Sequence, residues 1–170
     1  MPASIDDLFI LPPCAGEVDI LHVDSDFLLI NKPTRLLSVP GRHPQNHDSV
    51  VSRLQLEYPG AGIVHRLDFD TSGVMVVPLT KLALSHISKQ FQARSVSKHY
   101  TAVVAGIMAQ DEGVIDLPIA SAEGPRYKVC AATGKPSITE YSVLARDELA
   151  GTTRVWLHPI TGRSHQLRLH

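Results

Sequence analysis

Apolar residues fall in short alternating runs along most of this 170-residue chain, a pattern that predicts strands more often than helices. Residues 18–23 and 27–31 are β-prone runs separated by Asp24-Ser25-Asp26, whose short polar side chains favour a turn, so a hairpin is predicted. Residues 33–47, rich in Pro, Gly, His and Arg, show no period and read as a surface loop of a length often given to function. Asp48 is placed to cap a helix that carries Val50, Val51 and Leu54 on one face and stops before Pro59-Gly60. Residues 63–67 and 74–79 read as strands flanking the polar connection 68–73. The strongest helix is 80–94, where Ala83, Ile87 and Phe91 recur every four residues with Leu84 beside them, a stripe suited to packing on a sheet. Strands follow at 99–105, 126–130, 138–145 and 153–158, and residues 164–170 look like the opening of a helix capped by Ser164.

Strands in hairpin-like succession, with few helices between them, predict an α+β fold with a mainly antiparallel, mixed sheet flanked by helices. Pro12-Pro13 and Gly16 mark residues 1–16 as an irregular arm, and one domain is expected over residues 17–170. No stretch approaches the roughly 18 apolar residues of a membrane span and the first residues lack a secretory pattern, so a cytoplasmic protein without a membrane partner is expected. The two cysteines, Cys14 and Cys130, form no CxxC pair and suggest neither a disulfide framework nor a zinc knuckle. His43 and His47, or His165 and His170, lack further ligands at zinc spacing, so no metal site is expected.

The net charge of −1 conceals an uneven distribution. Residues 1–30 hold six acids and no Lys or Arg, which leaves 16 basic against 11 acidic side chains in the rest of the chain. That surplus permits a nucleic-acid partner without requiring one.

Candidate chemistry concentrates in His65-Arg66-Leu67-Asp68-Phe69-Asp70-Thr71-Ser72-Gly73, which sets a basic residue, two carboxylates, two hydroxyls and a glycine between apolar runs. By local chemistry alone Asp68 and Asp70 serve equally well as turn formers with Arg66 as their ion partner, and Gly73 as a residue at positive φ.

The order HRLD, two residues, then TSG resembles the signature segment of the RluA-type pseudouridine synthases. Further matches stand in the expected order. Ile30-Asn31-Lys32-Pro33 with Leu37-Ser38-Val39-Pro40-Gly41 resembles that family's first motif, and Lys98-His99-Tyr100-Thr101-Ala102 its tyrosine-bearing strand. Gly134-Lys135-Pro136 with Thr139-Glu140-Tyr141 is similar to the next segment, and residues 159–170 to the third motif. The resemblance spans about residues 18–170, and several ordered motifs are far more specific than one pattern match.

The resemblance implies a pseudouridine synthase catalytic fold and an isomerase acting on chosen uridines in structured RNA. Uracil leaves the ribose anomeric carbon, turns, and rejoins through a ring carbon; no atoms are gained or lost, so no cofactor is implied. It assigns catalysis to Asp68, as nucleophile toward base or sugar or as the group that removes a sugar proton, and the sequence leaves these routes open. Arg168 is the implied cation that keeps the carboxylate ionised, and Tyr100 the ring against the base that helps remove the ring proton. Leu169 would offer an apolar surface to the uracil, and Arg66 would occupy the space left by the extruded nucleotide. Lys32, Arg35, Arg42 and Arg163 are candidates for phosphate contacts.

Within the family the resemblance is strongest to the dual-specificity branch that acts on a tRNA anticodon stem-loop and a 23S rRNA stem-loop. A monomer with no obligate protein partner is expected. The chain stops inside an expected helix, where the family's catalytic domains continue, so the fold is expected to be truncated at its C-terminal end. A non-catalytic RNA-binding module that retains the scaffold is the alternative reading; the set Asp68, Tyr100 and Arg168 speaks against it.

Overall fold

Asp24 closes the first turn as its composition predicts: its carboxylate accepts from the Asp26 amide at 2.9 Å and its own amide donates to the Phe27 carbonyl at 3.0 Å. The turn joins strands β1 (Asp19–Val23) and β2 (Phe27–Lys32) in a computed structural model that describes residues 9–123 and 126–170. The first eight residues of the predicted arm lie outside the described residues. The chain forms two units, residues 1–95 and 96–170.

In the first unit β2 lies between β1 and β3 (Gly73–Pro78), all antiparallel. Alternation along β2 sends Leu28 and Ile30 inward, opposite Val77 and Met75 of β3, and all four are fully buried. Each such side chain contributes about 1.5–3 kcal/mol when buried. The same period of two carries Lys32 to the buried face.

The helix expected from Asp48 begins one residue later. In α1 (Val50–Leu54) Ser49 is the cap, bonded reciprocally with Ser52, while Asp48 instead accepts from Nε and Nη2 along one edge of the Arg53 guanidinium, both at 2.7 Å. Residues 63–67 are not a strand. Val76 of β3 donates its amide to the His65 ring at 3.1 Å and the Leu67 amide donates to Ser38 at 3.1 Å, so side chains take the places a ladder would supply. Helix α2 (Lys81–Gln92) starts at the Thr80 cap and ends before Arg94, which turns left-handed at φ 57°. Ala83 of its stripe is buried, Ile87 and Phe91 are half-buried, and Phe91 stacks on His65 at 4.7 Å.

In the second unit the strands order β4 (Tyr100–Ala105), β9 (Thr152–Pro159), β8 (Ile138–Asp147) and β5 (Glu112–Asp116), again all antiparallel. Strands β6 (Ile119–Ser121) and β7 (Tyr127–Val129) pair separately. Strands β5 and β6 escape the sequence reading, β5 because Glu112, Gly113 and Asp116 are poor strand formers and the outward-facing Val114 spoils the alternation of polar and apolar positions. Helix α3 (Gln166–Leu169) is not capped by Ser164: His165 stands at its N-terminus with φ 55° and makes no side-chain cap.

Candidate active site

Lys32 is the most informative candidate, because a strand's period has delivered an ammonium into a core. Its Nζ donates to the carbonyls of Leu36 (2.7 Å), Pro33 (2.9 Å) and Phe69 (3.2 Å), and none of the side chain is exposed. Burial pushes its pKa below the ordinary lysine value, with Cys14, Asp70 and Asp68 pulling the other way. An ammonium closed over by three carbonyls cannot meet a phosphate, so Lys32 leaves the set of RNA contacts proposed from sequence and becomes a tie between the first-motif loop and the segment around Asp68.

Two further side chains act on the same segment. Ser38, 3% exposed, donates to the Leu67 carbonyl at 2.9 Å and accepts from the Leu67 amide at 3.1 Å. Thr34 donates to the Asp70 carbonyl at 2.8 Å. The residues on either side of Asp68 are thus held by three side chains from residues 32–38, and the Thr71 amide closes a turn on the Asp68 carbonyl at 3.1 Å. Asp68 itself is half-buried in this turn. Gly73, at φ 134°, then lets the chain enter β3, a conformation that side chains rarely adopt.

Arg35, Arg42 and Arg66 are exposed in the first unit. Arg35 sits at φ 61°, a strained choice for a residue with a Cβ. Such strain persists where the surroundings over-determine it, here between the carbonyls of Pro33 and Leu36 that Lys32 grips.

In the second unit Tyr100 opens β4, half-buried and paired with Leu157 of β9. Arg168 is exposed and Leu169 half-buried on α3. That short helix is seated by the buried Gln166. Its amide nitrogen donates to Ile138 and Thr139 at 3.0 Å, and its oxygen accepts from Thr161 at 2.8 Å and the Arg163 amide at 3.0 Å. His170 completes the seat, with one ring nitrogen on the Leu117 carbonyl at 3.0 Å and the other on the Thr139 hydroxyl at 2.9 Å. A carbonyl can only accept, so Nε2 carries a proton and donates it to Leu117. Arg163 donates its Nε to the Pro136 carbonyl at 3.2 Å, which leaves its other guanidinium nitrogens for a partner.

Ser38, Thr34 and Gln166 were not among the sequence candidates for function. Their signal was weak: each is a common polar residue inside or beside a motif segment, and the partner named lies 29, 36 or 27 residues away.

A family profile described as RNA pseudouridylate synthase matches residues 26–170. The chain is 54% identical over 153 residues to the dual-specificity RNA pseudouridine synthase RluA of Yersinia pestis, an alignment that covers 89% of this chain and 74% of that protein. With the protein of the same name from Escherichia coli (strain K12) it shares 49% over 163 residues, 94% of this chain and 73% of the relative. Among solved structures, human RNA pseudouridylate synthase domain containing 1 superposes with a TM-score of 0.75 at 29% identity, covering 100% of this chain and 66% of that one. Human RNA pseudouridylate synthase domain containing 4 gives 0.70 at 27%, covering 89% and 62%. The chain therefore spans about three quarters of these curated relatives and two thirds or less of these solved ones.

Proposed function

This chain belongs to the RluA-type RNA pseudouridylate synthases, and from that premise we propose that it isomerises uridine to pseudouridine in structured RNA with Asp68 as its covalent or proton-abstracting catalyst. The observation that carries the assignment is the bracing of the Asp68 turn, whose neighbours are fastened by Lys32, Thr34 and Ser38. A loop carboxylate reacts efficiently only if it is held in place, since a displacement of about 1 Å can cost roughly 100-fold in rate.

The bond from the ribose anomeric carbon to the uracil ring nitrogen breaks, and a bond to a ring carbon forms; the proton displaced from that carbon leaves, and another is taken up at the freed nitrogen. Composition is unchanged, so the reaction asks the protein for orientation, for charge and for a group that moves one proton. On family grounds Tyr100 lies against the uracil and assists loss of the ring proton, and Arg168 favours the ionised carboxylate. Leu169 meets the uracil face, and Arg66 fills the gap left by the extruded nucleotide. Arg35, Arg42 and Arg163 contact phosphates, each exposed or with guanidinium nitrogens to spare.

On family grounds the targets are a tRNA anticodon stem-loop, a 23S rRNA stem-loop or both; the relatives' names give a dual specificity. Residues 17–170, after the arm 1–16, lie within the catalytic domain, which acts as a monomer and resides in the cytoplasm; among the described residues no helix is long and apolar enough to cross a membrane.

The test is release of tritium from the ring carbon of labelled uridine in such stem-loops. Asp68→Ala should lower release by more than about 1,000-fold while the RNA dissociation constant stays within a few-fold. Equal release from both proteins ends the assignment, and RNA binding without release from the wild type points to the non-catalytic module.

A further inference from the structure

Residues 9–16 carry no periodic pattern, yet they are fastened at both ends. The Asn46 side chain pairs with this arm as a strand edge would: Nδ2 donates to the Phe9 carbonyl and Oδ1 accepts from the Leu11 amide, both at 2.8 Å. The same residue's backbone oxygen accepts from Gly41 at 2.7 Å, so Asn46 organises the end of the first-motif loop while it holds the arm. At the other end the Arg53 guanidinium donates to the carbonyls of Cys14 (2.7 Å) and Gly16, with Asp48 on its remaining edge. Cys14 Sγ donates to the Thr34 carbonyl at 3.4 Å. Gly16 crosses Pro33 so closely that a Cβ there would come within 2.8 Å of the proline ring.

Between these anchors the arm faces the loop across a cavity of about 210 Å³, with Leu11 and Pro12 on one wall and Arg35, Leu37 and Phe69 on the other. Phe69 is the immediate neighbour of Asp68. Pro12-Pro13 restrict the arm's backbone, so little freedom is lost in seating it.

We propose that residues 9–16 are a strap which, through Asn46 and Arg53, fixes the loop that braces the Asp68 turn, and so positions the catalytic carboxylate. A 15-residue loop with no regular structure beyond the 3-10 turn Pro44–Asn46 is otherwise among the more mobile parts of a fold, and Lys32, Thr34 and Ser38 can position the Asp68 turn only as well as their own loop is positioned. The inference rests on the reading of Asp68 as catalyst.

The experiment compares the wild type with Asn46→Ala and with a deletion of residues 1–13, reading three quantities: tritium release in a single turnover at saturating RNA, the RNA dissociation constant and the thermal midpoint. Both variants should lose about tenfold in the single-turnover rate, equivalent to about 1.4 kcal/mol, with RNA affinity within twofold. Amide exchange over residues 67–70 should quicken. Asn46→Asp keeps the acceptor for Leu11 and loses the donor to Phe9, so it should recover part of the rate. A lower thermal midpoint with an unchanged saturating rate would make the arm purely structural; weaker RNA binding with an unchanged rate would make it an RNA contact. Either result overturns the strap. Wild-type release from Asp68→Ala would remove the underlying reading instead, whatever the Asn46 variants do.

Discussion

In the first unit Asp68 stands on a loop whose neighbouring residues are held by three side chains, those of Lys32, Thr34 and Ser38, whereas in the second Tyr100 stands in strand β4, held by the backbone ladder to β9. The ladder is made of groups that every non-proline residue supplies, so it tolerates side-chain change. The loop's ties belong to individual side chains, and each can be cut by one substitution. Positioning is therefore local and fragile around Asp68, and distributed and robust around Tyr100.

The largest effect that sharpens this contrast is expected at Tyr100. Tyr100→Phe keeps the ring and the ladder but removes the hydroxyl, so the single-turnover rate should fall by roughly 100- to 10,000-fold with an unchanged thermal midpoint. A fall in the midpoint matching the loss of rate would show that strand position also depends on this side chain, and the contrast would fail.

Lys32→Met should behave in the opposite way, striking stability directly. Three carbonyls lose their donor, and even with the desolvation cost of the ammonium relieved, a loss of about 2–3 kcal/mol is expected in urea unfolding. Its pH dependence has a definite sign. Because burial lowers the Lys32 pKa, the unfolded chain binds more protons between the folded value and the ordinary one, so wild-type stability gains from this residue as pH rises through that window. Lys32→Met should lack that gain, and parallel pH profiles for the two proteins would count against a Lys32 pKa lowered by burial.

Ser38→Ala removes the partner of both backbone groups of Leu67 and should cost about 1–3 kcal/mol. Amide exchange should rise at Leu67 and not at Tyr100. Equal changes at both positions would mean that the two regions respond as one body and are not separately held.

Much of the fold was legible in the sequence because its signals are periodic. The first hairpin, β3, α2, β4, β8 and β9 all appear where alternation or a four-residue recurrence puts them, and the α+β, mainly antiparallel architecture follows from their succession. Reading failed where the chain's partners are distant side chains. Residues 63–67 have the composition of a strand, but His65 and Ser38 take the bonds; Asp48 has the composition of a cap, but Arg53 competes for it and Ser49 caps instead.

The candidate site divides in the same way. The residues proposed to carry the chemistry, Asp68 and Tyr100 above all, stand in contiguous motifs, so the proposal itself needs only order and spacing. The pattern of two along β2 also determines that position 32 shares a face with Leu28 and Ile30. Only the tertiary structure decided what a lysine does there, because its fate depended on whether carbonyls from Pro33, Leu36 and Phe69 converge on that point. Periodicity is a property of neighbours along the chain; satisfying a buried charge is a property of neighbours in space.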